Sequence, residues 1–428
     1  MPTPDPRADE CSDPERALGG PSVAQSVGLL ATRRFGTFWI STLLSNLGTW
    51  AQQVAEPWLL LNLSGSSFLV GLDAFAVNAP VLALSLPGGI LADTVDRRRV
   101  ILWLQTLQML CPAALVALVV TGRVRPWEVV ALSLLVGITD ALSMPSFQSI
   151  LPSIVKPAEL GSAFALNATQ MNLARVLGPV LAGLLLARYG ATACFGVNTL
   201  SYVPFIFVAL YLLPRAALIR PRAGPRRSRL AGYRDILRRS KLKRALLTML
   251  ISNLLCGPLV TFIPVLVRRV FHGNASHFGG ALAAFGVGGV IGALLLLPAE
   301  RRAGSGLICT VAALLYAALV MAAGSVGSFS LLVAVLCLAG TAMTMSNVAA
   351  NTLLQGETVP ELRGEAASLF LLVLRGGLSF GNLAAGLMVT ALGIQAALLV
   401  DGGVALVLLA WLLMSSKSEV VEAGPSGY

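Results

Sequence analysis

Between Pro214 and Arg244 the chain reads PRAALIRPRAGPRRSRLAGYRDILRRSKLKR, a stretch with 12 basic residues and a single acid, Asp235. No bilayer core admits such a segment, yet the chain on both sides of it is apolar over long distances. A hydrocarbon core of about 30 Å requires roughly 20 apolar residues per helix. Six runs of that length precede the stretch, near residues 36–61, 67–92, 99–121, 127–148, 163–187 and 192–213, and six follow it, near 244–267, 277–298, 305–325, 329–351, 366–391 and 394–415. The expected architecture is an all-α membrane protein of twelve transmembrane helices. A basic linker at 214–243 divides them into two six-helix bundles, at 35–213 and 244–415, and tails at 1–34 and 416–428 complete the chain.

Composition excludes the alternatives. Of the 428 residues 56% are hydrophobic and only 12% charged, with a mean hydropathy of +0.79, whereas soluble chains carry roughly 25% charge. A soluble enzyme could not cover that much apolar surface. The 42 Gly and 23 Pro among apolar runs suit bundled membrane helices. A net charge of +11 does not point to nucleic acid, because the basic residues sit between apolar segments rather than in one exposed domain. They act instead as topology signals: with the N-terminus inside, 24 of the 31 Lys and Arg fall on inner segments and five on outer loops. Both termini are therefore expected in the cytoplasm. The acid- and Pro-rich start, Met1 to about Gln25, lacks the pattern of a cleaved signal and reads as a cytosolic tail. Six scattered cysteines form neither a metal site nor a disulfide framework.

The halves repeat weakly. A shift of 203 superposes Gly178 on Gly381 and Gly183-Leu184 on Gly386-Leu387, and a shift of 207 superposes Ser45-Asn46-Leu47 on Ser252-Asn253-Leu254. Parallel six-helix repeats have this signature.

The turn after the second span, Gly89-Ile-Leu-Ala-Asp93-Thr-Val-Asp96-Arg97-Arg98-Arg99, resembles the signature loop of the major facilitator superfamily, except that Asp96 stands where glycine is usual. Arg175-Val-Leu-Gly178-Pro179-Val-Leu-Ala-Gly183 resembles the Gly-Pro kink of its antiporters without the final paired glycines. The stretches Pro145-Ser-Phe-Gln148-Ser-Ile-Leu-Pro152 and Asn167-Ala-Thr-Gln170-Met-Asn172-Leu-Ala-Arg175 are similar to its secretion-effector branch. The resemblance implies a twelve-helix alternating-access carrier that exports in exchange for protons. Gly89, Asp93, Arg97 and Arg98, with Gly178, Pro179 and Gly183, would then be gating elements, Asp93 docking near a helix N-terminus. Drug antiporters of the superfamily often carry arginine in the fourth span, where this chain has Asp140, so their proton path does not transfer directly.

Charges inside the spans need a partner or a purpose. Asp140 and Arg175 fall midway along adjacent spans, which predicts an ion pair or a shared proton; a permanent salt bridge is the structural alternative. One face of the first span carries Ser45, Thr49, Gln52, Gln53 and Glu56, with Asn46 beside it, and is expected to line a central cavity. Glu56 reads either as a proton or cation site at the cavity mouth or as an interfacial carboxylate. Asp73 and Asp401 read as interfacial. Asn167, Gln170 and Met171 continue the Arg175 stripe, Arg375 and Ser379 form a polar face of the eleventh span, and Asn347 and Asn351 add to it from the tenth. Arg375 serves either an anionic substrate group or the carbonyls of a helix broken at Gly376-Gly377.

No phosphate-cradling loop is present, so ATP is not the direct energy source. No nucleophile–base or metal cluster suggests an enzyme or a cofactor, and His272 and His277 read as an accidental pair. The leading expectation is a proton-coupled exporter of an amphipathic small molecule, of drug or siderophore type. It would be a monomer in the bacterial inner membrane, with its linker on anionic inner-leaflet lipid. An uptake or facilitative permease and a non-transporting scaffold or sensor are the rivals.

Overall fold

The computed structural model describes residues 28–212, 229–359 and 362–422, and is nearly all helical. The helices are α1 (Arg33–Ser64), α2 (Ser67–Asn78), α3 (Pro80–Thr94), α4 (Arg97–Val120), α5 (Pro126–Ile154), α6 (Leu160–Tyr211), α7 (Arg229–Arg238), α8 (Ser240–Ile251), α9 (Pro258–Arg269), α10 (Ala275–Ala303), α11 (Ser305–Ser325), α12 (Phe329–Glu357), α13 (Arg363–Leu392) and α14 (Ile394–Glu422). The tail 1–27, most of the linker at 213–228, and the end of the chain from residue 423 onward lie outside the described residues.

Ten segments are long and apolar enough to cross a membrane. The polar face of α1 keeps it off that count, although its 32 residues exceed the length required. One of the ten, Leu177–Tyr211, contains a break: Gly190 has φ 76 and ψ −178, a region open only to glycine. The expected spans near 163–187 and 192–213 are the two arms on either side of it. The end of α14 differs from expectation, since the helix continues past residue 415 to Glu422.

Helix ends follow local chemistry. Gly65, at φ 63, closes α1 through its N–H to the Leu61 carbonyl. The Asp96 side chain accepts from the Arg98 N–H at 3.0 Å and caps α4. That role explains the departure from glycine in the signature-like loop. Asn274 caps α10 by accepting from Ser276 and His277, and the His277 ring packs on Phe329. Between α8 and α9 the backbone makes a π-helical turn, Ser252–Cys256.

The helices turn alternately at two ends. One end carries the turns at 65–66, 121–125, 190, 270–274, 326–328 and 393; the opposite end carries those at 95–96, 155–159, 304 and 358–359, and with them α7. At the first end a single apolar core joins both halves, from Leu60 and Val70 to Phe262, Phe278 and Leu332. At the second end each half keeps its own cluster: Phe35, Ile101, Ile150 and Phe205 in one, and Ile236, Leu242, Leu354 and Leu369 in the other. The halves are thus fused at the first end and separate toward the second.

Helix α7 belongs to the C-terminal half. Ile236 is buried and Tyr233 partly buried against α13, and a Cβ on Gly232 would touch Glu365. Leu237 stays exposed, and the Leu230 side chain lies outside the described residues. Arg239 donates to the Glu357 carbonyl at 2.7 Å, at the end of α12.

Candidate functional site

Two polar centres occupy mid-depth, one within the N-terminal half and one between the halves. The first is a small pocket lined by Thr49, Gln52, Gln53, Glu56, Val77, Ser133, Val136, Asn198 and Tyr202. All nine come from α1, α2, α5 and α6. The polar face of α1 therefore borders a cavity inside its own half. Only Gln53 on that face is exposed; Ser45, Gln52 and Glu56 are buried, and Asn46 and Thr49 are half-buried.

A directed chain of hydrogen bonds holds this pocket. Ser201 Oγ donates its one proton to the Asn198 carbonyl at 2.7 Å, with Asn198 Oδ1 3.3 Å away; Asn198 Nδ2 donates to Gln52 Oε1 at 2.5 Å, and Gln52 Nε2 donates to Glu56 Oε1 at 2.6 Å. The Gln52 amide thus has its oxygen committed to Asn198 and its N–H₂ turned to Glu56. Glu56 is 3% exposed, which removes the interfacial reading, and Asp73 is also 3% exposed. Ser133 lies beside both carboxylates.

The second centre spans the halves. Arg375 of α13 donates to Asn78 Oδ1 of α2 at 2.6 Å and lies 3.8 Å from Asp140 of α5. The Asp140 and Arg375 side chains are 40% and 30% exposed. Asp140 thus has its described partner in the opposite half, while the side chain of Arg175, its expected partner, lies outside the described residues. Helix α13 runs unbroken through Gly376 and Gly377, so Arg375 serves side chains rather than freed carbonyls. Ser379 is buried and donates to the Arg375 carbonyl at 2.7 Å. On the C-terminal side Asn253, in the π-helical turn, donates to Asn347 Oδ1 at 3.2 Å. Asn351 is half-buried one turn further along α12. On α6, Asn167 is half-buried, Met171 is exposed, and Gln170 is fully buried with neither amide atom hydrogen bonded.

The expected gating residues divide between the two ends. Gly183 meets Gly279 backbone to backbone, so that a Cβ on Gly183 would fall 2.5 Å from the Gly279 Cα. At the equivalent place in the other half, Gly386 approaches Gly71. Trp58 stacks on Phe278 at 5.5 Å, Arg268 lies 5.9 Å over the Trp58 ring, and Arg269 bonds the Gly65 carbonyl. Every one of these contacts between the halves lies at the fused end. Gly178 packs on Trp50, and Pro179 is buried beside it. At the opposite end Arg98 bonds the Leu210 carbonyl, Arg97 is also engaged, and Gly89 has open space around it. The Asp93 side chain lies outside the described residues.

Sequence reasoning missed Asn78, Ser133, Asn198 and Tyr202, and placed Asp73 and Asp401 at the interface. Both acids are buried. Asn198 had an available signal: it is the polar residue that the 203-residue shift superposes on Asp401. Asn78 and Ser133 had none, being single polar residues in apolar runs.

The profile of the transmembrane secretion effector family matches residues 24–425. A staphyloferrin A transporter of Staphylococcus aureus is 28% identical over 264 residues, 60% of this chain and 66% of that protein. The chain therefore aligns with slightly less than two thirds of that relative. The enterobactin exporter EntS of Shigella boydii is 26% identical over 329 residues, 74% of this chain and 76% of that one. Among solved structures, a bacterial homologue of the lysosomal transporter Spinster superposes with a TM-score of 0.68 at 15% identity, covering 92% of this chain and 97% of that one. A match at that identity shows the fold alone. With nearly its whole length inside the profile, the chain belongs to the transmembrane secretion effector family, a multi-pass branch of the major facilitator superfamily of transporters rather than enzymes.

Proposed function

We propose that the protein is a proton-coupled exporter of an amphipathic small molecule, of siderophore or drug type, working by alternating access in the bacterial inner membrane. In this reading α1 crosses the membrane despite its polar face, and the break at Gly190 makes two crossings of α6. Twelve spans result, six in each half, with both termini inside. The end bearing Arg97–Arg99, Lys156, the linker and Arg301–Arg302 is cytoplasmic by its basic charge. The fused end is then the outer one, and the conformation is inward-open. Helix α7 presents Leu237, Arg234 and Arg238 to the inner leaflet, where anionic headgroups suit the arginines. A monomer contains every element the cycle uses.

The observation that carries the reading is Arg375 shared between Asn78 and Asp140 across the halves, at mid-depth and only partly enclosed. An anionic group of the substrate entering from the cytoplasm competes for Arg375 and displaces Asp140. After the carrier turns outward and releases substrate, Asp140 takes a proton from outside. On return it re-forms its pair with Arg375 and releases that proton inside. The exchange is export against proton entry, and the ion pair is what prevents the empty, unprotonated carrier from leaking protons.

Everted vesicles energised to an acid interior, with a pH dye and a panel of siderophores and drugs, test this. Substrate-dependent proton efflux from wild type, lost in Asp140→Asn and Arg375→Gln, is expected. If wild type gives no efflux while labelled compound still equilibrates, a facilitative permease replaces the proposal.

A further inference from the structure

We infer that Glu56 and Asp73 form a separate binding site for one monovalent cation, a proton or Na⁺, inside the N-terminal half and away from the Asp140–Arg375 pair. The inference rests on the membrane-spanning reading above, but not on the direction of transport or on Asp140 as the coupling group.

The argument is one of charge balance. Glu56 on α1 and Asp73 on α2 are each 3% exposed, and Asp73 is close enough to act electrostatically on Glu56. Among the described residues neither carboxylate has a Lys, Arg or His partner. The charged and titratable groups on the helices around them are otherwise engaged or lie elsewhere. Arg268 of α9 stacks over Trp58, and Arg269 bonds the Gly65 carbonyl. Arg375 of α13 is held by Asn78 and Asp140. Tyr202 of α6 faces Thr49, and Cys111 of α4 is an uncharged thiol near Glu56. Glu128 of α5 accepts from the Arg125 N–H at the helix end. Two negative charges in a water-poor interior without a compensating cation are strongly disfavoured, so the site is stable only when a cation neutralises at least one of them.

The hydrogen-bond inventory points to the same place. The amide of Gln52, fixed in direction by Asn198, supplies a donor to Glu56 Oε1. That oxygen therefore accepts and does not carry a proton. Asp73 Oδ1 is buried with no hydrogen bond, and so is the Ser133 Oγ, which is 1% exposed and lies beside both acids. Unsatisfied oxygens of this kind, converging beside a polar pocket, are what a proton shared between two carboxylates uses, or what a small hard cation ligates. Two carboxylates repel phosphate, and their burial leaves no room for a bulky ligand.

Infrared difference spectra of the purified full-length protein, with ²²Na⁺ binding measured in parallel, test the site. In sodium-free buffer at neutral pH, wild type is expected to show a protonated-carboxyl band that disappears in both Glu56→Gln and Asp73→Asn and persists in Asp140→Asn. If Na⁺ leaves this band unchanged and no ²²Na⁺ is retained, the cation is the proton. If Na⁺ abolishes the band and about one ²²Na⁺ per chain binds, with at least a tenfold loss of affinity in Ser133→Ala, the cation is sodium. Absence of a band assignable to either acid, together with absence of ²²Na⁺ binding to wild type, overturns the inference. If one variant fails to fold the other still assigns the band, and the ²²Na⁺ measurement needs wild type alone. A positive site in a protein that shows no substrate-linked proton flux would instead sink the antiport reading and leave the site standing.

Discussion

Asn198 shows how much one residue can decide. Its amide N–H₂ donates to Gln52 Oε1, and so sets the direction of the bond that reaches Glu56. Asn198→Ala would leave the Gln52 oxygen buried without a donor, at a cost of about 1–3 kcal/mol. A lowered thermal unfolding midpoint in detergent, with Arg375 function retained, is the expected readout. Asp96 offers a contrast. Its replacement by alanine should cost about 1 kcal/mol through loss of the α4 cap, whereas glycine, the residue usual in the superfamily, should cost only a few tenths. Comparison of the two variants by thermal unfolding checks that order, and equal losses would show that the cap is not what Asp96 contributes. Glu56 was legible in the sequence because it continues a stripe of Ser45, Thr49, Gln52 and Gln53 on one helix face. Asp73 was not, because its significance depends on α2 standing beside α1 and α5, which no single-helix pattern encodes.

Among the elements, α6 and α10 depend on glycine where they cross. A side chain at Gly183 would meet the Gly279 backbone, and one at Gly279 would fall 2.3 Å from the Gly183 Cα. Neither backbone can yield without separating the helices. Gly183→Leu is therefore expected to favour the conformation in which the fused end opens. In a background free of native cysteines, a reporter cysteine replacing Phe278 should become reactive to an impermeant maleimide from outside, and transport should fall about tenfold or more, as it does when the competent state is a minor one. An unchanged labelling rate would remove these glycines from the seal. Gly190→Ala should be a stability variant instead, costing about 1–3 kcal/mol for its backbone conformation; calorimetry or denaturant titration would detect it. Spans and turns were readable from hydropathy, since lipid demands continuous apolar helix. The π-helical turn at Ser252–Cys256 was not, because it arises where α9 must start at Pro258 while Asn253 still reaches Asn347.

The whole molecule is organised by its internal repeat. Gly178 and Gly381 each pack against the first helix of their own half, on Trp50 and Leu254, while Gly183 and Gly386 each cross to the other half, on Gly279 and Gly71. The weak 203-residue periodicity thus corresponds to two pairs of equivalent contacts. A Cβ on Gly71 would fall 2.3 Å from the Asn382 carbonyl oxygen, so Gly71→Leu is expected to unseal the fused end as Gly183→Leu does, with the same gain in maleimide labelling at position 278; unchanged labelling would mean that this second contact is no part of the seal. Membership of the secretion branch was legible from the motifs. The contact of Asp140 with Arg375, 235 positions along the chain, was not legible, because sequence proximity points to Arg175 of the same half, whose side chain lies outside the described residues.

Closure by bare backbone has a further consequence. Where glycine meets glycine, there is no side chain whose size, charge or rotamer must match what the protein carries. In the proposed cycle cargo is handled elsewhere, at mid-depth, by groups that can be exchanged one at a time. On that reading a lineage with this construction changes what it carries by substituting around Arg375 and Asn347 without re-engineering its lock. The cost of that freedom is that four positions, 71, 183, 279 and 386, tolerate almost no enlargement.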